Sequence, residues 1–295
     1  MNARALLGAS LATTFGGLAY SQEQDQDAEL PASIDVTGMV RDFREKTDPD
    51  GHPDFENRPD HGFARYSGNI GLAIGPDRKP VFVGGGSKVA SQWRDSQQRQ
   101  ICYALFDASL GDVEGSWAQA DSGGITSAET FAQWYHDLPG VNLSQMLTLT
   151  LHLQEDGQYV FDDRLDPMCA DLGGFFPIED QLFGNPGGSP DRNFHFTFEL
   201  HMEFTYAADG DQFFKFIGDD DVWVFINDSL VIDLGGVHAA HDQFVDLDRL
   251  GLTDGETYLI DFFFAERHRT QSNFRIETNL PLQTAGLPTV NMAYD

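Results

Sequence analysis

Three consecutive aspartates stand at the entrance to the most strongly β-forming segment of the chain. Asp219, Asp220 and Asp221 are followed directly by Val-Trp-Val-Phe-Ile at 222–226. Aspartate is disfavoured in strands, and adjacent like charges repel one another. A divalent cation with oxygen ligands would offset that repulsion, and calcium is the usual choice outside the cell. The alternative is an acidic turn whose side chains are solvated. The segment therefore predicts a calcium site on a β scaffold.

The composition excludes several classes of protein. The 295 residues carry a net charge of -29, from 47 acidic and 18 basic residues. Such a chain repels phosphate, so we expect no nucleic-acid partner, and we expect no membrane insertion because no later stretch could span a bilayer. The 24 phenylalanines supply more apolar mass than a disordered acidic chain has, and the 30 glycines favour short strands joined by turns.

The sequence divides into four parts. Residues 1–21 resemble a signal peptide, with Arg4 before an apolar stretch and Ala19-Tyr20-Ser21 as a small-x-small cleavage site. This predicts a secreted protein, extracellular or at the cell surface. Residues 22–32 form an acidic linker, 33–280 a single β domain and 281–295 a C-terminal tail. Export would permit a disulfide between Cys102 and Cys169, and two buried thiols are the alternative.

Hydrophobic periodicity predicts an all-β fold. Between residues 193 and 206, apolar side chains at even positions alternate with polar ones, so the two sets would lie on opposite faces of a strand. The clearest helical signal is Thr126–Leu138, with Ser127 as the cap. The spacing of strands and turns indicates an antiparallel β-sandwich with long loops and one or two short helices.

Several motifs in this order resemble the fibro-slime domain, a family similar to the PA14 domains of secreted adhesins, toxins and glycosidases. The resemblance extends over most of residues 34–280. It is carried by residues 40–43, 52–56, 194–200, 218–227, 230–238, 263–268 and 272–276.

This resemblance implies a PA14-like β-sandwich and a particular metal site. In sugar-binding PA14 members, two aspartates joined by a cis peptide bond hold calcium, which in turn binds sugar hydroxyls. The matching pair is Asp219-Asp220, whereas Asp221 stands where PA14 lectins often have glycine. In the loop before Phe274, Asn273 is the expected third metal ligand and Glu266 the next. Asp219, Asp220, Ser272 and Asn273 are the expected ligand-binding residues.

Other polar clusters have both a functional and a structural interpretation. His238, His241 and Asp242 could bind zinc or be ordinary loop residues. His268 and Glu266 could act as a general-base pair, or form a strand-end salt bridge with Arg267 or Arg269.

Two further side chains are expected to be structural, and no catalytic residues are predicted. Trp223 could stack on a sugar, but alternation favours the core, and Asp233 is expected to be structural. No Gly-x-Ser-x-Gly, phosphate-binding loop or His-Glu-x-x-His motif occurs in the sequence.

The favoured function is therefore a calcium-dependent carbohydrate-binding or adhesion module, exported to the cell surface or extracellular matrix. The alternative is a structural matrix or filament-forming protein in which calcium only rigidifies loops and strands exchange between subunits. A glycoside hydrolase is the least favoured hypothesis.

Overall fold

The computed structural model of the chain describes residues 30–286. The predicted signal peptide, most of the linker and most of the tail lie outside these residues. In the described part, no helix is both long enough and apolar enough to cross a bilayer.

Fourteen strands and few helical residues make up the described structure. The strands are β1 (Ser33–Phe43), β2 (Tyr66–Ser67), β3 (Ser87–Ser91), β4 (Ser116–Ala120), β5 (Asn142–Leu153), β6 (Tyr159–Asp162), β7 (Phe196–Thr205), β8 (Phe213–Gly218), β9 (Asp221–Ile226), β10 (Ser229–Leu234), β11 (His241–Asp246), β12 (Thr257–Glu266), β13 (Phe274–Thr278) and β14 (Gln283–Thr284). The helical elements are α1 (Ala128–Ala132) and 3₁₀ turns at Tyr103–Leu105, Ala108–Leu110, Ala170–Leu172 and Leu247–Leu250.

The strands form one large antiparallel sheet and one small one. The large sheet has the order β10-β9-β12-β7-β1-β5-β6-β13-β8-β11, with β14 added to β7. The small sheet has the order β2-β3-β4. The long strands β1 and β5 pair over their whole length, from Ser33 opposite His152 to Phe43 opposite Asn142. The predicted all-β, antiparallel fold class is confirmed.

Aromatic contacts show how the large sheet closes over one core. Phe274 of β13 lies 5.5 Å from Phe262 and 5.2 Å from Phe264 of β12, measured between ring centroids. Phe216 of β8 lies 5.5 Å from Phe262 in the same way. These strands are far apart in the sheet order, so the β9–β12–β7 part faces the β13–β8 part. The apolar face predicted for residues 194–202 points into this core.

Strand β9 is buried on both faces, which explains its unbroken apolar sequence. Val222, Val224 and Ile226 enter the main core, whereas Trp223 and Phe225 enter a second core formed with α1 and its flanking residues. Trp223 is fully buried, and its indole N–H donates to the Asp233 carboxylate at 3.1 Å. Trp223 is therefore not available to stack on a ligand, and Asp233 has the structural position expected of it.

The helix predicted over Thr126–Leu138 is wrong in its extent. Ser127 does cap α1, through a reciprocal capping box with Thr130, but the helix ends at Ala132. Tertiary contacts take over the next turn. The indole N–H of Trp134 donates to Asp54 at 3.0 Å, and its carbonyl accepts from the Thr197 hydroxyl at 2.5 Å. Packing against the sheet thus overrides the local helical pattern.

Two further expectations differ from the structure. Cys102 and Cys169 are free and buried, so the predicted disulfide is not formed. Cys169 belongs to the main core, whereas Cys102 lies near Arg65 and Asp233, and burial raises the pKa of both thiols. The sheet also continues past residue 280, where the tail was expected to begin, because Gln283 and Thr284 pair with β7.

The packing of the core predicts that the stability of the protein is highly sensitive to truncation of Phe175. Phe175 is fully buried and lies between Phe274, at 4.3 Å, and Phe264, at 5.7 Å. Phe175→Ala should lower the free energy of unfolding by about 3–5 kcal/mol in denaturant titrations, because truncation leaves a cavity. The control is Leu165→Ala at a side chain that is 77% exposed, where the expected change is below about 0.5 kcal/mol. Equal losses in both variants would contradict this description of the core.

Candidate functional site

The three aspartates form the link between β8 and β9. Strand β8 ends at Gly218 and β9 begins at Asp221, so the link crosses from one side of the main core to the other. The Asp219–Asp220 peptide bond is cis. Gly218 is required for the close approach of a neighbouring loop, since a Cβ there would lie 2.2 Å from the carbonyl oxygen of Asn273.

The carboxylates of this link are buried and accept hydrogen bonds from the protein. Asp219 accepts from the main-chain and side-chain nitrogens of Asn273, each at 2.7 Å. Asp220 accepts from the main-chain nitrogens of His238, at 3.2 Å, and Arg267, at 3.1 Å. Asp219, Asp220 and Asp221 are 1%, 3% and 0% exposed, which excludes the alternative of a solvated acidic turn.

Asp221 is the one aspartate of the three that is paired with a cation. Its carboxylate contacts the Arg267 Nε at 2.6 Å and accepts from the Gly236 main-chain nitrogen at 2.5 Å. Arg267 is fully buried and also donates to the carbonyl oxygens of Asp54 and Gly123. Burial alone would lower the pKa of this guanidinium, but the neighbouring Asp221 carboxylate outweighs it and the pKa is raised.

Glu266 at the end of β12 adds another buried carboxylate to the same corner. It is fully buried, and its Oε2 has no hydrogen-bond partner among the described residues. Its Oε1 accepts a long bond, 3.4 Å, from the main-chain nitrogen of His268, and the Ser272 hydroxyl and the Asp220 carboxyl lie close enough to influence its pKa. Burial and the charges of Asp220 and Asp219 raise its pKa well above the usual range.

The corner thus holds more buried negative charge than its one arginine balances. Burial raises the pKa of Asp219 to about 6. Burial, together with the charges of Asp219 and Asp221, raises the pKa of Asp220 well above its ordinary value. Buried carboxylates are expected to be paired, protonated or bound to a metal. We refer to Asp219, Asp220 and Glu266 as the acidic corner.

The donor set of the acidic corner fits a hard divalent cation. Calcium takes about six to eight oxygen ligands, from carboxylates, amide and main-chain carbonyls, and water. Asp219, Asp220 and Glu266 would hold it. Asn273, the expected third ligand, supports Asp219 instead, because its amide nitrogen donates to that carboxylate while its main-chain oxygen accepts from the Asp219 nitrogen. In the described residues, the oxygens of these three carboxylates do not all lie within 4.8 Å of one another, so at least one side chain must move to bind the same ion as the other two, and further oxygens must complete the shell.

The remaining predicted ligand, Ser272, has a structural contact instead. It is buried, and its hydroxyl donates to the Phe175 carbonyl at 2.8 Å. Its own carbonyl accepts from the Phe175 main-chain nitrogen at 2.8 Å. Ser272 therefore fixes the loop that carries Asn273. The Asn273 amide oxygen accepts from Arg164 at 3.2 Å, so this residue joins the corner to the protein surface.

A second cluster, which the sequence analysis missed, supports the same loop. Within residues 30–286, Glu45, Glu56 and His195 are the one trio of His, Cys, Asp or Glu side chains whose ligand atoms all lie within 4.8 Å of each other. Its carboxylates are already engaged. Glu56 accepts from the Arg269 main-chain nitrogen at 2.9 Å and contacts His268 Nδ1 at 2.7 Å, and Glu45 pairs with the Arg269 guanidinium. Arg269 supplies the positive charge that a metal would bring.

These contacts correct two interpretations of the histidines. His268 pairs with Glu56 and not with Glu266, and Arg267 pairs with Asp221, so neither the general-base pair nor the strand-end bridge is formed. The ring nitrogens of His238 lie 2.8 Å and 3.1 Å from the carbonyl oxygens of Ala239 and Leu234. Because both nitrogens face carbonyl oxygens, the contacts favour the structural interpretation of the 238–242 loop over zinc binding.

Asp163 is the other residue that the sequence analysis missed. It is 3% exposed, its Oδ2 has no hydrogen-bond partner, and its charge contributes to the raised pKa of Asp219. It lies in the loop after β6, and its Oδ1 accepts from the Phe274 main-chain nitrogen at 3.1 Å. Nothing in its sequence neighbourhood, which is rich in aspartate, distinguishes it from solvated acids.

A cleft of about 520 Å³ adjoins the acidic corner. His238 and His268 lie in the cleft wall. Their main-chain nitrogens bond to Asp220 and Glu266 of the acidic corner, so they connect the two. The Phe63 ring is 37% exposed and lies 4.2 Å from the His268 ring, so the wall has a partly open aromatic surface. The cleft is lined by Phe63, Ala64, Arg65, Val89, Ala90, Gln92, Val237, His238, Ala239, His241, His268, Thr270 and Gln271.

Comparison with solved structures adds little. A beta-glucosidase from Kluyveromyces marxianus in complex with glucose is 15% identical and covers 31% of this chain and 10% of its own, with a TM-score of 0.21. A likeness of that size carries no conclusion.

Sequence comparison places the chain among known proteins. The PA14 domain family matches residues 185–290, which include the acidic corner. In Dictyostelium discoideum, protein psiD is 34% identical over 268 residues (88% of this chain and 43% of psiD), and protein psiH is 46% identical over 259 residues (85% and 31%). Protein psiQ is 42% identical over 200 residues (63% and 19%), so the chain spans less than half the length of these relatives. The expected resemblance to fibro-slime and PA14 proteins is confirmed: residues 185–290 match the PA14 domain family, and the chain is similar to the psi proteins, which are of the fibro-slime type, over most of its length.

Proposed function

We propose that this chain is an exported, non-catalytic module that binds carbohydrate through calcium and serves adhesion at the cell surface or in the extracellular matrix. The PA14 match supports a carbohydrate-binding or adhesion-type module. The observation that supports calcium binding is the acidic corner. In the described structure, its three buried carboxylates form no salt bridge with a cationic side chain, and Glu266 Oε2 has no hydrogen-bond partner.

The bound ion would form a bridge between the protein and a sugar. Calcium accepts oxygen ligands from both, so coordination positions that the protein leaves open can take sugar hydroxyls. Asp219 and Asp220 supply charge, and Asn273 positions Asp219 through its two hydrogen bonds. The adjoining cleft offers the Phe63 ring as an apolar surface for a sugar face.

The direct test is sugar binding by glycan array and calorimetry, with calcium and with a chelator. The double variant Asp219→Asn, Asp220→Asn keeps the side-chain shapes and removes both charges, so binding should fall at least about tenfold, the equivalent of about 1.4 kcal/mol. The matched control is Glu155→Gln at an exposed acid, which should leave binding unchanged. Chelation should abolish binding by the unaltered protein.

Two results would contradict the proposal. Sugar binding that persists in the double variant or in the chelator would separate the activity from the acidic corner. A calcium-induced rise in melting temperature without sugar binding, together with concentration-dependent filaments in electron microscopy, would favour the structural matrix protein instead.

The raised carboxyl pKa values also predict how calcium stabilises the fold at different pH. In the absence of metal, these carboxyl groups have a higher pKa in the folded state than the unfolded-state value of about 4. The folded protein therefore loses stability as the pH rises through the folded-state pKa, which is about 6 for Asp219. Calcium binds the ionised form, so it should raise the melting temperature by several degrees at pH 7.5 and by much less at pH 5. Differential scanning calorimetry with 1–5 mM calcium, a range at or above the Kd of about 0.1–1 mM typical of extracellular calcium modules, measures this difference.

The double variant is the control for this pH dependence as well. It has no carboxylates to ionise at these two positions, so its gain from calcium should be small at both pH values. An equal gain at pH 5 and pH 7.5 in the unaltered protein would contradict the assignment of the stabilising site to the acidic corner.

A further inference from the structure

Arg65 is a buried cation without an anionic partner in a strongly acidic protein. Its side chain lines the cleft beside the acidic corner, and the residue is 4% exposed. Its Nε and Nη1 atoms are buried and have no hydrogen-bond partner, and no salt bridge joins it to any carboxylate of residues 30–286. Burial lowers its pKa to about 10, which leaves the guanidinium charged at neutral pH.

The nearest acids compensate part of this charge from a distance, but none accepts a hydrogen bond from the Arg65 guanidinium. Asp233 and Asp242 influence the pKa of Arg65, but Asp233 accepts from the Gly68 nitrogen at 2.8 Å and from Trp223. Asp242 accepts from the Gln100 amide at 2.6 Å. A buried arginine usually has a carboxylate partner, because an uncompensated charge in the interior is costly. The position is therefore one that an external anion would stabilise.

The backbone around Arg65 is held closely in place. The Tyr66 nitrogen donates to the Gly235 carbonyl at 2.7 Å, and the Arg65 carbonyl accepts from Val89 at 2.9 Å. A Cβ on Gly236, whose φ is +92°, would lie 2.6 Å from the Ala64 carbonyl oxygen. The two glycines thus allow the 64–66 segment to lie against the end of β10, which fixes the arginine beside the cleft.

The lining of the cleft favours a negatively charged ligand. None of its lining residues is Asp or Glu, although the chain has 47 of them, and the lining includes Arg65 and three histidines. The Gln92 Oε1 atom, a buried acceptor without a partner, suits a sugar hydroxyl and not a carboxylate. A guanidinium matches a carboxylate by two parallel hydrogen bonds, and because Nε and Nη1 of Arg65 are buried, the side chain must turn toward the cleft to present two N–H groups to a ligand. The rest of the surface repels anions, so the cleft is where an acidic ligand would be retained.

We propose that this cleft binds the carboxylate of an acidic sugar, a hexuronic acid residue of a polysaccharide, through Arg65. This inference rests on the proposed function, because the sugar ring would be held by the same corner and cleft. It adds the ligand's chemical class: the protein prefers a uronic acid to the neutral hexose of the same configuration. Phe63 and the His268 ring lie on the wall where the ring of such a sugar would pack.

The test compares methyl glucuronide with methyl glucoside, and methyl galacturonide with methyl galactoside, by calorimetry in millimolar calcium. The acid of at least one pair should bind about tenfold more tightly than its neutral counterpart, as expected for a charge-assisted bidentate contact. Arg65→Gln should remove this preference by weakening the binding of the acid to the level of the neutral sugar. Arg65→Lys should recover part of it, since charge remains but the bidentate geometry is lost.

Controls separate the charge from the fold and from general electrostatics. Arg94→Gln removes one charge at an exposed arginine and should leave the preference intact. Melting temperatures show whether each variant folds. In the unaltered protein, sodium glucuronate should raise the melting temperature more than sodium chloride at equal ionic strength, and Arg65→Gln should lose this difference.

The outcomes distinguish this inference from the proposed function. Equal binding of acidic and neutral sugars, unaffected by Arg65→Gln, would overturn the inference and leave calcium-dependent sugar binding standing. Tight binding of a sulfated sugar but not of a uronic acid would overturn the choice of a carboxylate. If no sugar of either kind binds in calcium, the proposed function fails and this inference fails with it.

Discussion

The buried ion pair between Arg267 and Asp221 is the interaction on which the acidic corner depends. Arg267 follows Glu266 at the end of β12, and Asp221 opens β9, so the pair joins two neighbouring strands at the mouth of the second core. The same guanidinium reaches the 52–56 loop and Gly123, while its main-chain nitrogen bonds to Asp220. One cation thus orders four segments, but it balances only one of the neighbouring carboxylates. On our proposal, a metal ion compensates the charge left over on Asp219, Asp220 and Glu266.

The fold explains why such a corner can exist without disrupting the core. The two sides of the large sheet are held by interlocking phenylalanines, and the link between β8 and β9 lies at the edge of that packing. The neighbouring loops are fixed independently, through Ser272 on Phe175 and through Arg269 on Glu45. The acidic residues are therefore oriented by contacts that do not themselves need a metal. Preorganisation of this kind lowers the cost of binding an ion or a sugar.

Local patterns predicted much of the fold and singled out Asp219 and Asp220, whose role as metal ligands stays a prediction. Long-range pairing could not be predicted from these patterns. Alternation gave the buried face of β7, and three adjacent aspartates before an apolar run indicated the acidic corner. The sequence offered no way to know that Arg267 would take Asp221, or that Glu56 would hold His268 across more than 200 positions. The sequence also contained no indication of Arg65, because what distinguishes this residue is the lack of a hydrogen-bonded carboxylate partner in the structure. The predicted helix was too long because the position of Trp134 is determined by its contacts with Asp54 and Thr197 and not by the local helical pattern.

The central claim is that a divalent ion compensates the buried charge of the acidic corner. The most direct measurement is a crystal structure of the protein grown in millimolar calcium, with anomalous data to identify the ion. We expect a calcium ion bound by oxygens of both Asp219 and Asp220 at about 2.3–2.6 Å. A structure under these conditions with no ion there, and with the carboxyl groups hydrogen-bonded to each other as protonated acids, would contradict the account.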